Sequence, residues 1–215
     1  MSSCLTSVWL GQPPRHPMGR PEPKWFRQGW VLLLMALAGW WGQLPLAAAE
    51  TAHIEEYQLK AAFLPRFPLF VEWPVSQAPT NAPELVIGVL GQNPFGPHLE
   101  LACQGKTVGG RKLVTKTCQS LAEAKTCQVV FIAASEKERL PEILAGLTRA
   151  GVLTVGDLPQ FAEAGGMIGL VTDQRKIRME INMEAVREGG LRIDPQLLQM
   201  ARVIQSGPPA APAKT

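Results

Sequence analysis

The stretch FAEAGGMIGLVTDQRKIRMEIN, residues 161–182, constrains the fold more than any other part of the chain. It contains an apolar run, a polar tetrad at 173–176 and a second run in which apolar and charged residues alternate. Alternation of this kind is the period of a half-buried strand. Two such runs joined by a polar turn predict a β-hairpin, with Ile177, Met179 and Ile181 facing the core.

The first 49 residues predict a cleaved secretory signal peptide. Lys24 and Arg27 precede an apolar run at 30–41, and small residues follow at 47–49. The apolar run is shorter than the ~20 residues that a helix needs to span a bilayer. This length favours cleavage over a permanent membrane anchor, and export into the periplasm follows.

The rest of the chain is predicted to form one domain at 50–206, followed by a disordered Pro/Ala-rich tail at 207–215. The first 49 residues hold four of the 21 basic residues and one of the 18 acidic residues, so the rest carries 17 of each. A domain with this charge balance has no basic footprint for nucleic acid. We therefore expect no nucleic-acid partner.

Three further apolar runs predict strands, at 84–90, 129–133 and 152–155, and the weakly alternating stretch 111–117 predicts a fourth. Continuous apolar strands are typical of a sheet that is covered on both faces. Because helical segments lie between them, we predict a single α/β domain. Its sheet is mixed, with helices on both faces and a C-terminal β-hairpin.

Helix boundaries are indicated by capping residues. Ser135 and Glu138 have the spacing of a capping box, which predicts a helix that continues to about residue 150. Asp194 followed by Pro195 is typical of a helix start, and the pattern predicts a helix that continues to about Ile204.

Three cysteines remain after removal of the signal peptide: Cys103, Cys118 and Cys127. An oxidising compartment favours one disulfide and one free thiol. If a helix ends at Cys103 and runs back along the sheet, Cys103 lies near Cys127, which directly precedes the start of the strand 129–133. Because a bridge needs Cα atoms within ~7 Å, a Cys103–Cys127 pair is preferred to Cys118–Cys127.

Patterns for catalysis or cofactor binding are weak throughout the chain. The glycines of GKTVGG, at 105–110, lack the spacing of a phosphate-binding loop. His53 and His98 lie in no metal-ligand or nucleophile pattern, and Ser135 is not in a nucleophile elbow. We therefore expect neither an enzyme, nor a metal site, nor a cofactor.

Two surfaces remain as candidate binding sites. Arg175, Arg178 and Glu180 project from one side of the predicted hairpin, either as a recognition surface or as the solvated face of an edge hairpin. An aromatic stripe from Phe63 to Trp73 either packs in the core or binds a partner or a planar ligand.

Several motifs, taken together in their order, make the chain resemble the YfiR-like family. They are EYQLKAAFL (56–64), FVEWP (70–74), IGVLGQNPFG (87–96), CQVVFIAASE (127–136), VLTVGD (152–157), FAEAGGMIGL (161–170) and KIRMEIN (176–182). The resemblance covers about 53–205, nearly all of the predicted domain.

This resemblance implies a periplasmic α/β domain that binds the periplasmic sensor domain of a membrane diguanylate cyclase and represses it. It also implies dimerisation and a response to redox state through disulfides. The chain differs from the family where PRFPLF follows the first helix, and where its three cysteines allow only one disulfide.

With this resemblance, six residues near the hairpin become candidates for binding a partner or a small-molecule ligand. They are Glu163, Met167, Ile168, Arg175, Arg178 and Glu180. The leading hypothesis is a non-enzymatic repressor in cyclic-di-GMP signalling. The alternative is a periplasmic ligand sensor that works with a histidine kinase or a transporter.

Overall fold

A mixed sheet forms the centre of the protein, as shown by a computed structural model that describes residues 46–74, 83–173 and 176–204. The predicted tail and nearly all of the predicted signal peptide lie outside these residues. Within them, no helix is both long and apolar enough to cross a membrane. Residues from Ala47 onward belong to one compact unit.

Short helices separate most of the strands. The helices are α1 (Leu46–Phe63), α2 (His98–Cys103), α3 (Leu121–Ala124), α4 (Leu140–Thr148), α5 (Met183–Glu188) and α6 (Pro195–Gln199), with 3₁₀ helices at Leu64–Leu69 and Ala134–Arg139. The strands are β1 (Val71–Glu72), β2 (Glu84–Leu90), β3 (Thr107–Val108), β4 (Arg111–Cys118), β5 (Val129–Ile132), β6 (Leu153–Gly156), β7 (Ile168–Asp173), β8 (Lys176–Asn182), β9 (Arg192–Ile193) and β10 (Ala201–Ile204).

Eight of the described strands form one sheet in the order β10-β8-β7-β6-β5-β2-β4-β3. Strands β4, β2, β5, β6 and β7 are parallel to their neighbours within this group. Strand β8 is antiparallel to β7, and β10 is parallel to β8. The prediction of a mixed sheet in an α/β domain is therefore confirmed.

Two apolar cores cover the two faces of this sheet. Successive residues of a strand point to opposite faces, and in β5 Val129 and Phe131 join one core whereas Val130 and Ile132 join the other. The first core contains side chains of α1, α2, α5 and α6, and the second contains side chains of α3 and α4. We call these faces the α1 face and the α4 face.

The predicted hairpin is strands β7 and β8, paired from Ile168 with Ile181 to Asp173 with Lys176. Met179 and Ile181 are buried on the α1 face, and Ile177 is half-buried there, as the alternation predicted. Strand β10 pairs with the outer side of β8 from Met179 to Asn182, so β8 is not the edge strand of the sheet. Arg178 is exposed, as both interpretations of the charged face expect.

Strand β10 also corrects the predicted C-terminal helix. Asp194 caps α6 as expected, since its carboxylate accepts a hydrogen bond from the backbone N–H of Gln196. The helix ends at Gln199, and Ala201 to Ile204 instead pair with Met179 to Asn182 of β8. Pairing with a strand that lies far away in the sequence overrides the local helical pattern here.

Candidate functional site

Exposed charges lie on one side of the hairpin, among them Arg178 and Lys176. Because Ile177, Met179 and Ile181 point to the α1 face, the residues between them point to the α4 face. The packing residues of α3 and α4 join the core beneath β2, β5 and β6. We call this side of β7, β8 and β10 the hairpin face; it consists of Val171 and the charged residues Asp173, Lys176, Arg178, Glu180 and Arg202.

Two ion pairs arrange the charges of the hairpin face. Arg178 contacts Asp173 at 2.9 Å, with 67% and 43% of the two side chains exposed. Arg202 contacts Glu180 at 3.3 Å; the Arg202 side chain is 74% exposed and that of Glu180 only 13%. An ion pair as exposed as Arg178 with Asp173 contributes only ~0–1 kcal/mol to stability. Arg178 can therefore exchange Asp173 for a group on another protein at little cost.

The six candidate binding residues do not form one surface. Arg178 and Glu180 lie on the hairpin face, and Arg175 is outside the described residues. Met167 and Ile168 have no exposed surface, so their assignment to a binding site is corrected: they are core residues.

Glu163 is exposed in the turn before β7, at the end of the hairpin opposite to its loop. A hydrogen bond from the side-chain amide of Asn182 to the carbonyl of Ala162 fixes this turn to the end of β8. With a rise of ~3.3 Å per strand residue, Glu163 is separated from Arg178 by several residues of strand. It can belong to the same interface only if the partner covers most of the hairpin.

A buried charge cluster that was not predicted from the sequence lies on the α1 face. Lys60 of α1, 3% exposed, contacts Asp157 at 2.7 Å and Glu56 at 2.5 Å. Asp157 directly follows β6, and its carboxylate also accepts a hydrogen bond from the hydroxyl of Tyr57 at 2.7 Å. Thr172 of β7 donates to Glu56 at 2.6 Å, so the cluster ties α1 to two strands of the sheet.

Aromatic rings complete the surroundings of this cluster. The ammonium of Lys60 lies 4.6 Å from the ring centre of Tyr57, a cation–π distance. Tyr57 packs edge-on against Phe95, which in turn packs against Phe131. Burial and the adjacent carboxylate of Asp157 raise the pKa of the Tyr57 hydroxyl, so that it remains a hydrogen-bond donor at neutral pH.

The sequence contained a signal for this cluster that was not used. Lys60 lies at helical spacing between Tyr57, Ala61 and Leu64, on the apolar stripe of α1. A lysine on a core-facing stripe requires a buried anion. That anion is Asp157, the last residue of the motif VLTVGD. Lys60, which binds it, lies in the motif EYQLKAAFL.

The cysteines are arranged differently from the prediction. Cys118 and Cys127 approach each other to 3.7 Å between their Sγ atoms in the core of the α4 face. Cys103 lies in the core of the α1 face, so the sheet separates it from Cys127. The preferred Cys103–Cys127 pairing is therefore corrected. It required α2 to pack on the same face of the sheet as Cys127, whereas α2 packs on the other face.

Gly88 of β2 provides the space for the two thiols. A Cβ at this position would lie 2.8 Å from Sγ of Cys127 and 3.0 Å from Sγ of Cys118. All three cysteines are free thiols in the structure, and burial raises the pKa of Cys103 to about 11 and that of Cys127 to about 12. The thiols are therefore protonated at neutral pH and are unsuited to nucleophilic catalysis.

Ser135 links the ends of two adjacent strands rather than capping a helix. Its hydroxyl accepts a hydrogen bond from the backbone N–H of Gln92, which lies just beyond β2. Gly91 has a φ of +91°, and a side chain there would overlap Ser135. The predicted capping box is wrong, since Ala133 occupies the N-cap position of the 3₁₀ helix and no side chain caps it.

Potential metal ligands are not grouped in the described part of the chain, where no cluster of three or more histidine, cysteine, aspartate or glutamate side chains is suited to hold an ion. The described residues therefore present an exposed charged face on the hairpin and a buried charge cluster beneath α1.

A sequence model of the YfiR/HmsC-like family matches residues 57–202, which is more than half of the chain. The match includes the charge cluster from Tyr57 onward, the cysteine pair and the whole hairpin face. Members of this family are periplasmic regulatory proteins that interact with membrane signalling proteins. No curated protein sequence matches the chain.

Comparison with solved structures gives distant similarities. A conserved domain protein from Vibrio cholerae is 15% identical over 61% of this chain, with a TM-score of 0.45. An ABC domain in complex with L-Trp from Streptococcus pneumoniae is 15% identical over 56%, with a TM-score of 0.41. An open, ligand-free substrate-binding protein from Clostridium difficile is 10% identical over 57%, with a TM-score of 0.42. The chain spans 57%, 55% and 55% of the lengths of these three chains.

Proposed function

Because this chain belongs to the YfiR/HmsC-like family of periplasmic regulators, we propose that it binds the periplasmic sensor domain of an inner-membrane diguanylate cyclase and represses cyclic-di-GMP synthesis. The observation that carries this proposal is the family match over 57–202, which includes every described residue of the hairpin face. The protein acts by binding and carries out no reaction of its own.

The hairpin face is the contact surface in this proposal. It presents charges of both signs on the paired strands β7 and β8, and β10 extends this pairing from Met179 to Asn182. Strands that are paired before binding lose less conformational entropy on binding than an unpaired segment does. Arg178 is the main contact, because its guanidinium is two-thirds exposed and is suited to bind a carboxylate of the sensor domain.

The buried charge cluster supports this surface from the other side of the sheet. Glu56 on α1 accepts a hydrogen bond from Thr172 of β7, whose neighbours Val171 and Asp173 belong to the hairpin face. The same helix is held to the end of β6 by Lys60 and Asp157. A displacement of α1 would therefore be transmitted directly to β7.

One feature favours the alternative function, a ligand sensor that acts on a histidine kinase or a transporter. In the sheet order, β4 and β5 lie on opposite sides of β2, so the chain reverses its direction of winding at this point. Ligands of open α/β sheets bind beyond the carboxyl ends of strands at such a reversal. Gln92 and Ser135 lie at this position.

Affinity capture from inner membranes of the host bacterium tests the proposal. The purified protein should retain a cyclase with a periplasmic sensor domain, and deletion of its gene should raise the cellular concentration of cyclic-di-GMP. Recovery of a kinase or a transporter, with cyclic-di-GMP unchanged after deletion, would establish the alternative and reject the cyclase.

Substitution of single charges locates the surface. Arg178→Glu should abolish capture, whereas Lys137→Glu should not, since Lys137 is exposed on the 3₁₀ helix that follows β5, outside the hairpin face. If both variants capture the cyclase as well as the unmodified protein does, the hairpin face is not the contact surface.

A further inference from the structure

Strand β4 is covered on its outer side only at its beginning. Strand β3 pairs with it through two residues, Thr107 with Lys112 and Val108 with Arg111. Strand β4 continues for six residues beyond Lys112, and on the other side it pairs with β2 as far as Cys118. Within the described ranges, no strand pairs with the outer side of this second part.

Hydrogen bonds of Lys112 and Leu113 show which backbone groups in the second part of β4 point away from β2. The N–H of Lys112 donates to the carbonyl of Pro83, on the β2 side, and the N–H of Leu113 donates to the carbonyl of Lys106, on the outer side. The register with β2 continues without a bulge to Cys118. Because backbone groups of a strand alternate in direction, those of Thr115 and Thr117 point outward.

A groove follows this side of β4. It has a volume of about 750 Å³ and lies between β4 and α2, with Pro97 and Leu101 on the helix side and Lys112 to Thr115 on the strand side. A smaller groove of about 230 Å³ continues it to Thr117 and shares Glu100 and Thr115 with it. Leu101 is 62% exposed and offers an apolar contact on the helix side.

We propose that this groove binds an extended acidic segment of a protein partner, which adds to β4 as a further strand. A helix beside an open strand edge gives main-chain hydrogen bonds on one side and side-chain contacts on the other. The charged residues that line the two grooves are Lys112 and Lys116 of β4, both exposed, and one acid, Glu100. This charge excess selects an acidic segment.

A second copy of the chain is a poorer match for the same edge. Pairing of two β4 strands would place lysines of one copy close to lysines of the other. Like charges on neighbouring strands are destabilising. The groove is also at the end of the sheet opposite to β8 and β10, so this proposal does not depend on the function proposed for the hairpin face.

Binding of a synthetic peptide tests the chemistry of the groove. The probe is a fluorescent eight-residue peptide that alternates glutamate with threonine and valine, and the control replaces each glutamate with lysine. The acidic peptide should bind at least tenfold more tightly in fluorescence anisotropy. It should also slow amide hydrogen exchange of Thr115 and Thr117 at least tenfold, whereas the amide of Lys116, which faces β2, should not change.

Two substitutions at one position separate backbone from side-chain recognition. Thr115→Pro removes an outward N–H without removing a bond to β2, and should weaken binding at least tenfold. Thr115→Ala keeps the N–H and should change the affinity less than twofold. Lys116→Glu alters only an exposed side chain and should weaken binding of the acidic peptide even if Thr115→Pro lowers the melting temperature.

Several results would overturn the proposal. Equal affinity for the acidic and basic peptides would remove its charge selectivity, and unchanged exchange at Thr115 and Thr117 would place the peptide elsewhere. Self-association in sedimentation experiments that Thr115→Pro abolishes would show that a second copy occupies the edge.

Discussion

The buried charge cluster and the hairpin face use the same types of side chain for opposite purposes. Lys60 is 3% exposed and contacts Asp157, of which 4% of the side chain is exposed. Arg178 and Asp173 make a contact of similar length, 2.9 Å, yet 67% and 43% of their side chains are exposed. The ion-pair distances hardly differ, so the difference between the two regions lies in solvation.

Solvation determines what each pair can do. Water already stabilises the charges of Arg178 and Asp173, so their pairing contributes little and can be given up at little cost. Lys60 and Asp157 have lost most of their hydration and depend on each other and on Tyr57 and Glu56. We infer that the first region can recognise a partner, whereas the second holds α1 to the sheet.

The largest effect is expected from Lys60→Met, which removes the cation and leaves the carboxylates of Asp157 and Glu56 facing an apolar side chain. Loss of one member of a buried ion pair costs ~3–5 kcal/mol. Urea denaturation should show this decrease in the free energy of unfolding. The matched variant Arg178→Met should lose no more than ~1 kcal/mol; equal losses would contradict the distinction between the two regions.

The next effect concerns the buried cysteine pair. Oxidation should join Cys118 to Cys127, because their Sγ atoms need to approach by only about 1.7 Å to reach the length of a disulfide. Closing a loop of about ten residues should raise the free energy of unfolding by roughly 2–3 kcal/mol.

Non-reducing peptide mapping and denaturation of oxidised and reduced protein measure these two consequences. The variant Cys103→Ser is the control and should form the same bridge. A Cys103–Cys127 peptide would show that the chain can bring together residues that the structure places on opposite faces.

A smaller effect is the loss of stability of the reduced protein at high pH. Burial raises the pKa of Cys127 to about 12 in the folded state, above the ~8.5 of an unfolded cysteine. The folded state therefore retains a proton that the unfolded state releases, and stability falls as pH rises from about 9 towards 12. Cys127→Ala should make this loss of stability smaller; an unchanged profile would assign the loss to the other groups whose pKa is raised, Cys103 and Tyr57 among them.

The sequence predicted well those features that depend on neighbouring residues. Alternation placed Met179 and Ile181 in the core, and Asp194 caps its helix as its residue type indicated.

The features that were missed depend on contacts between distant residues. The bond between Lys60 and Asp157 joins residues 97 positions apart, and local periodicity contains no information about it. The cysteine pairing required knowledge of the face on which α2 packs. Strand β10 pairs with β8, which lies about twenty residues earlier in the sequence, so the local helical pattern after Asp194 was misleading.

The central claim is that the hairpin face binds a signalling partner while the buried cluster only supports the fold. Arg178→Glu tests this claim because the substitution should change the free energy of unfolding by less than ~1 kcal/mol. The most direct measurement is titration calorimetry of the protein with the isolated periplasmic domain of the captured membrane partner. The account predicts that Arg178→Glu weakens this affinity at least tenfold at an unchanged melting temperature, with Lys137→Glu binding normally. An affinity of Arg178→Glu equal to that of the unmodified protein would contradict it.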